Sequence, residues 1–226
     1  MSSIKENYLK VTEQIEKAAQ RSGRDPSEVK LVAVSKTVEV VKIKEAIEAG
    51  VSILGENYVQ EAQKKIEEIG RSIAWHFIGH LQSNKAKYAV SLFDMIHSLD
   101  SISLAEELNR RAEKEGRTMN AMIEVNLSGE ATKFGAEEAR VFDIARRVLN
   151  LSHLSLVGLM TMPPYFDSPD MSRPYFIQLR ELKERMGKEG IPVKELSMGM
   201  SNDFEVAIEE GATYVRVGTA IFGERK

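Results

Sequence analysis

The residues with the clearest chemical potential begin at Leu31-Val32-Ala33-Val34-Ser35-Lys36-Thr37, where four apolar residues run into a lysine. A lysine carried by a buried segment loses hydration around its amine. Desolvation disfavours the ammonium and frees the lone pair, the state that attacks a carbonyl to form a Schiff base. The same position also suits a lysine whose stem lies on the apolar run while its charge reaches water or an acidic partner. Near the other end of the chain are two loops rich in glycine and hydroxyl groups, Ser197-Met198-Gly199-Met200-Ser201-Asn202-Asp203 and Arg216-Val217-Gly218-Thr219-Ala220. Gly199 and Gly218 allow backbone N–H groups to close on an anion. Ser201 and Thr219 add hydroxyl donors, and a helix beginning near Thr219 would aim its positive end the same way. Together these are the parts of a phosphate cup, although serine and glycine are also ordinary turn and cap residues.

Three further positions have two readings each. Arg216 offers a permanent cation with fork geometry, facing either a ligand or a wall carboxylate such as Glu124; the sequence leaves its parity open. Glu56 and Asn57 follow Gly55, where spacing favours capping of the next helix, with a ligand contact by Asn57 as the alternative. His80 falls just past the apolar run around Trp75, where it either faces a ligand or braces a loop. His76, inside that run, reads as a core or wall histidine, and His97 and His153 read as structural. Met160, Met162, Met198 and Met200 read as packing residues.

The elements that must position these residues alternate along the chain. The first twenty or so residues form an amphipathic helix, with Ile4, Leu9, Val11, Ile15 and Ala18–Ala19 at near-helical spacing and Gly23 as the stop. Strands are then expected at residues 31–34, 52–54, 74–78, 94–98, 119–127, 154–160, 194–198 and 213–217. Helices are expected at 38–49, 56–69, 83–90, 101–115, 136–149, 172–186 and 203–209, with a short turn from 219. Helical crossovers between successive strands force parallel pairing. Eight such units predict an α/β fold, a single (β/α)8 TIM-type barrel with an extra N-terminal helix. The rival is an open doubly wound sheet, disfavoured by the count and by the lack of a Gly-x-Gly-x-x-Gly turn after the first strand. In a barrel, function gathers at the C-terminal strand ends, and phosphate sites are frequently built after strands seven and eight. Residues 163–174 form one Pro-rich, irregular loop, expected to be mobile.

Composition narrows the classes. The chain has 226 residues, 42% hydrophobic and 29% charged, enough for one barrel domain spanning 1–226. A net charge of −3 provides no general attraction to nucleic acid or anionic membrane, so any anion site is local. Without cysteine there is no thiol catalysis, disulfide or thiolate metal site. Four scattered histidines make a metal centre an unpromising reading. The polar N-terminal residues and the absence of a run of roughly 18 apolar residues point to the cytoplasm. The residues alone thus call for a ligand with a phosphate and a carbonyl. They do not choose between a phosphorylated pyridine aldehyde and a sugar phosphate.

Several motifs carry a specific resemblance. They are Ala33-Val34-Ser35-Lys36-Thr37, Gly55-Glu56-Asn57-Tyr58-Val59-Gln60-Glu61-Ala62, His76-Phe77-Ile78-Gly79-His80-Leu81-Gln82-Ser83-Asn84-Lys85, Gly158-Leu159-Met160-Thr161-Met162, Leu196-Ser197-Met198-Gly199-Met200-Ser201 and Val215-Arg216-Val217-Gly218-Thr219-Ala220-Ile221-Phe222-Gly223. Over essentially its whole length the chain resembles the pyridoxal phosphate homeostasis proteins, which share the barrel of the alanine racemase N-terminal domain. Phe134 and the Met162-Pro163-Pro164 loop depart from the pattern. The resemblance implies pyridoxal 5′-phosphate (PLP) held as a Schiff base (a covalent aldimine) on Lys36. It implies phosphate contacts from Ser201, Gly218 and Thr219 with Met200 nearby, Arg216 at the pyridine nitrogen and Asn57 near the ring. With His80 at the mouth, the candidate cofactor-binding set is Lys36, Asn57, His80, Met200, Ser201, Arg216, Gly218 and Thr219; no catalytic or metal-ligating residue is assigned.

The resemblance further implies a carrier rather than an enzyme, working in intracellular PLP homeostasis and serving apo PLP-dependent enzymes. A cation at the ring nitrogen disfavours the protonated pyridinium that acts as an electron sink. The related racemases draw a second base from an additional C-terminal domain that has no counterpart in these 226 residues, which is also why a monomer is expected. The alternatives are a weak amino-acid racemase using Tyr58 or His80 as the second base, and a Schiff-base aldolase acting on a sugar phosphate.

Overall fold

The computed structural model describes residues 3–130 and 133–224. Helix α1 (Ile4–Arg21) opens with a capping box in which Ser3 and Glu6 satisfy each other's backbone N–H groups. It buries Val11, Ile15, Ala18 and Ala19, while Leu9 is exposed.

Eight strands follow: β1 (Lys30–Val34), β2 (Ile53–Glu56), β3 (Ala74–Phe77), β4 (Met95–Leu99), β5 (Met119–Glu124), β6 (Leu154–Met160), β7 (Glu195–Met200) and β8 (Tyr214–Val217). They pair in parallel in chain order and close into a barrel, with β1 meeting β8 through Val32 opposite Arg216. Between them run α2 (Val40–Glu48), α3 (Val59–Ile69), α4 (Ala86–Leu92), α5 (Ile102–Lys114), α6 (Glu138–Leu149), α7 (Arg173–Lys188) and α8 (Phe204–Glu209), and the single turn α9 (Thr219–Phe222) follows β8. Asn7 ties α1 to this last turn by donating to the Ile221 carbonyl at 3.0 Å. The (β/α)8 architecture with its extra N-terminal helix is therefore as expected. Among the described residues no helix is long and apolar enough to cross a membrane.

Strand alternation sorts the side chains. Ala33, Leu54, Trp75, Phe77, Ile96, Ala121, Ile123, Leu159, Leu196, Val215 and Val217 point outward into the main core beneath the helices. Val32, Met95, Met122, Met160 and Tyr214 form a second, smaller cluster inside the barrel. Because side chains alternate with period two, Arg216 shares the inward face with Tyr214, and Glu124 shares it with Met122. The parity left open by the sequence is thus decided.

One expectation needs correction. Glu56 does not cap a helix: β2 runs through it, its side chain is fully buried, and α3 starts three residues later behind Tyr58, without a side-chain cap. Gly199 has φ 90°, and a Cβ there would lie 2.6 Å from Ala207 Cβ, so glycine also lets the end of β7 turn tightly over α8.

Candidate functional site at the barrel mouth

A cavity of about 590 Å³ opens at the C-terminal strand ends, and Lys36, Asn57, Met200, Ser201, Arg216, Gly218 and Thr219 all line it. Its volume lies in the range of small-molecule sites. Val34, Ile78 and Met162 add apolar wall, and Pro164, Tyr165 and Phe166 bring in the Pro-rich loop. That loop is tied to the end of β7, where the Asn202 amide donates to the Phe166 carbonyl at 2.9 Å.

His80 is the one member of the predicted set that does not line this space. It lines a neighbouring cavity of about 500 Å³, which shares Asn57, Ile78 and Met162 with the first. Its ring stacks on Phe134 with centroids 3.9 Å apart, and its Nδ1 is 3.6 Å from Asp100. These are the contacts of a loop-bracing residue, at the edge of a cavity that adjoins the first.

On the β7–β8 side, backbone donors gather around one hydroxyl. The N–H of Gly218 points at Ser201 Oγ at 3.2 Å, and that of Ala220 at 3.5 Å. Both bonds are long, so these donors retain capacity for a better acceptor. As α9 is a single turn, the individual N–H groups and hydroxyls, rather than a helix dipole, would hold an anion. Asp203 fixes the loop by accepting from the Met200 N–H at 2.7 Å. Across the cavity, Asn57 Oδ1 is buried without a hydrogen-bond partner among the described residues. Buried carbonyl oxygens are rarely left so, and a bound ligand with a donor would satisfy it. Gly79 makes this placement possible, because a Cβ there would lie 2.4 Å from the Asn57 carbonyl oxygen.

Arg216 rises from the barrel interior to the cavity floor. Its two terminal nitrogens donate to Ser197 Oγ at 2.7 Å and to the Thr161 carbonyl at 3.0 Å. Desolvation pulls its pKa down to about 10, opposed by the charges of Glu124 and Asp203, so it stays protonated at neutral pH. Among the described residues no ion pair joins Arg216 to Glu124. Burial pushes the Glu124 carboxyl up to about 7, with Arg216 pulling the other way.

Beneath Arg216 a polar chain crosses the barrel. His97 Nδ1 lies 2.9 Å from Ser197 Oγ, and His97 Nε2 lies 3.0 Å from His76 Nδ1. Burial lowers His76 to about 4 and His97 well below the usual range, so both imidazoles are neutral. With neutral rings, Arg216 donating to Ser197, Ser197 to His97 and His97 to His76 gives every contact one donor and one acceptor. Ser197, Thr161 and His97 went unnoticed as site residues in the sequence. The available signal was strand parity: His97 lies two residues from inward-facing Met95, and Ser197 begins the motif leading to Ser201.

Fold and site together define a (β/α)8 barrel whose mouth brings a lysine, a group of hydroxyls and backbone N–H donors, and a fixed guanidinium around one small-molecule cavity. Residues 7–226 match the family model of the alanine racemase N-terminal domain. A pyridoxal phosphate homeostasis protein of Aquifex aeolicus is 47% identical over 223 residues, covering 98% of each chain. The structure of PipY from Synechococcus elongatus with PLP bound superposes with a TM-score of 0.83 at 38% identity, over 94% of this chain and 100% of that one. An alanine racemase of Clostridium difficile shares the fold at a TM-score of 0.71 and 16% identity; the match covers 97% of this chain but 57% of the racemase. The chain belongs to the family of pyridoxal phosphate homeostasis proteins.

Proposed function

We propose that this chain binds PLP in the barrel-mouth cavity as a Schiff base on Lys36, and that it stores or supplies the cofactor in PLP homeostasis rather than catalysing a reaction with it. The observation that supports the reading is the shared cavity, which Lys36, Ser201, Gly218 and Thr219 line together. The polar groups present fit the group: N–H and hydroxyl donors for a phosphate, an amine for an aldehyde, and on Asn57 an orphaned amide oxygen able to accept from a ligand hydroxyl. Bound there, PLP supplies a reactive aldehyde and an electron-withdrawing ring.

The chain's own residues argue for a carrier. Arg216 is held by Ser197 and Thr161, and a ring nitrogen placed against it would be kept unprotonated, which weakens the ring as an electron sink. Racemisation also needs a base on each face of the reacting carbon. Tyr58 is 59% exposed, and His80 is stacked on Phe134 in the adjoining cavity, which fits neither to that task. We further propose that residues 1–226 act as one domain, as a cytoplasmic monomer that exchanges PLP with apo-enzymes and engages neither nucleic acid nor membrane.

Borohydride reduction of the PLP-loaded protein, followed by peptide mass mapping, tests the attachment point: the label should sit on Lys36. A label on another lysine, or none, defeats the reading. Steady turnover of an amino-acid enantiomer by the pure protein would replace the carrier with a weak racemase.

A further inference from the structure

We propose that Lys65, with Glu56 and Glu61, is a positioning device for Lys36, pinning the residues on either side of it and so setting the direction in which its amine enters the cavity. The inference rests on Lys36 being the attachment point and goes beyond it, by naming the residues that aim it.

Lys36 and Thr37 are the central residues of a tight turn, closed by the Val38 N–H donating to the Ser35 carbonyl at 3.0 Å. Thr37 has φ 61° and is the only non-glycine residue with positive φ among those described. This is costly for a β-branched side chain, and such strain persists only where surrounding contacts enforce it. The enforcing contact is Glu61, whose Oε1 accepts from the Thr37 N–H at 2.5 Å. On the other flank, Ser35 is fully buried, and its hydroxyl donates to Glu56 Oε1 at 2.6 Å.

Lys65 joins the two flanks. Its ammonium donates to the Ser35 carbonyl at 2.5 Å, to Glu56 at 2.8 Å and to Glu61 at 2.7 Å, which uses all three of its N–H donors. Its side chain is only 6% exposed, and that of Glu56 is fully buried. A buried cluster of this kind is a weak way to add stability, because desolvating the charges offsets much of their attraction. Here every acceptor is either a flank of Lys36 or bonded to one. Glu61 and Lys65 are i,i+4 neighbours on α3, and Glu56 ends β2. The second strand–helix unit therefore reaches across to hold the loop of the first.

The test compares PLP with pyridoxine 5′-phosphate, which keeps the phosphate and ring but has no aldehyde, in the full-length protein. Glu61→Ala should lower the ratio of PLP to pyridoxine 5′-phosphate affinity about tenfold and reduce the borohydride-trapped Lys36 peptide, with the alcohol binding as before. Adding Thr37→Gly should restore most of the ratio, because glycine adopts φ 61° without enforcement. Lys65→Arg, which keeps the charge but loses the three-way geometry, should lower the same ratio and serves where Glu61→Ala folds poorly. An unchanged ratio in both variants, or equal loss of both ligands with no recovery from Thr37→Gly, overturns the proposal. A wild-type protein that traps no PLP on Lys36 overturns the underlying attachment instead, and is seen before any variant is made.

Discussion

Arg216 and His97 lie on either side of one hydroxyl: the guanidinium donates to Ser197 Oγ from 2.7 Å, and the imidazole Nδ1 meets the same oxygen at 2.9 Å. The orientation of the cation at the cavity floor is therefore coupled to two neutral histidines deep in the barrel. Ser197→Ala removes the shared partner and leaves a buried charged donor and a buried ring nitrogen unmatched. Stability should fall by about 3 kcal/mol, measured by chemical denaturation of the ligand-free protein. A loss below about 0.5 kcal/mol would show that Arg216 finds another acceptor.

Glu124 makes stability depend on pH. Its folded pKa of about 7 is raised from the ordinary 4.5, so the unfolded chain releases this proton first. Its contribution is full below pH 4.5 and is lost as pH rises through 7. Glu124→Gln removes that dependence. Relative to wild type the variant should gain stability between pH 4.5 and 8, by up to about 3 kcal/mol. Parallel stability–pH curves for the two proteins would contradict the raised carboxyl.

Ser201→Ala combined with Thr219→Ala tests the anion cup. The pair should weaken PLP binding about tenfold or more and leave pyridoxal, which lacks the phosphate, nearly unaffected. Titrations of both vitamers followed by absorbance decide it. Equal weakening of the two would move the phosphate elsewhere in the cavity.

Gly79→Ala places a methyl group against the Asn57 backbone, where a Cβ would be 2.4 Å from the carbonyl oxygen. One of the two loops must move, at a cost of about 1–3 kcal/mol, and Asn57 moves with it. The expected outcome is a lower melting temperature together with weaker PLP binding. Unchanged binding in the destabilised variant would remove Asn57 from the site.

Much of this protein was legible from local pattern. The alternation of short apolar runs with helical ones announced the barrel, and β6 was placed at its observed bounds, Leu154–Met160. That Lys36, Ser201, Gly218 and Thr219 line one cavity could be expected because a barrel brings the residue after each strand to one rim, whatever the separation along the chain. Asn57 lines the cavity although spacing favoured capping, because β2 runs two residues past its expected end at Leu54 and buries Glu56 under α3.

What the sequence determined by itself is therefore the order of the elements and the residues brought to the rim, since both follow from hydrophobic period and chain direction. Only the tertiary structure decided the inward parity of Arg216, the Ser197–His97–His76 chain beneath it, the Lys65 contacts around Lys36, and the stacking of His80 on Phe134. These depend on barrel register and on contacts between residues distant in the chain: the Lys65 contacts form when the second strand–helix unit packs on the first, and the Ser197–His97 contact forms only when β4 and β7 face each other across the closed barrel.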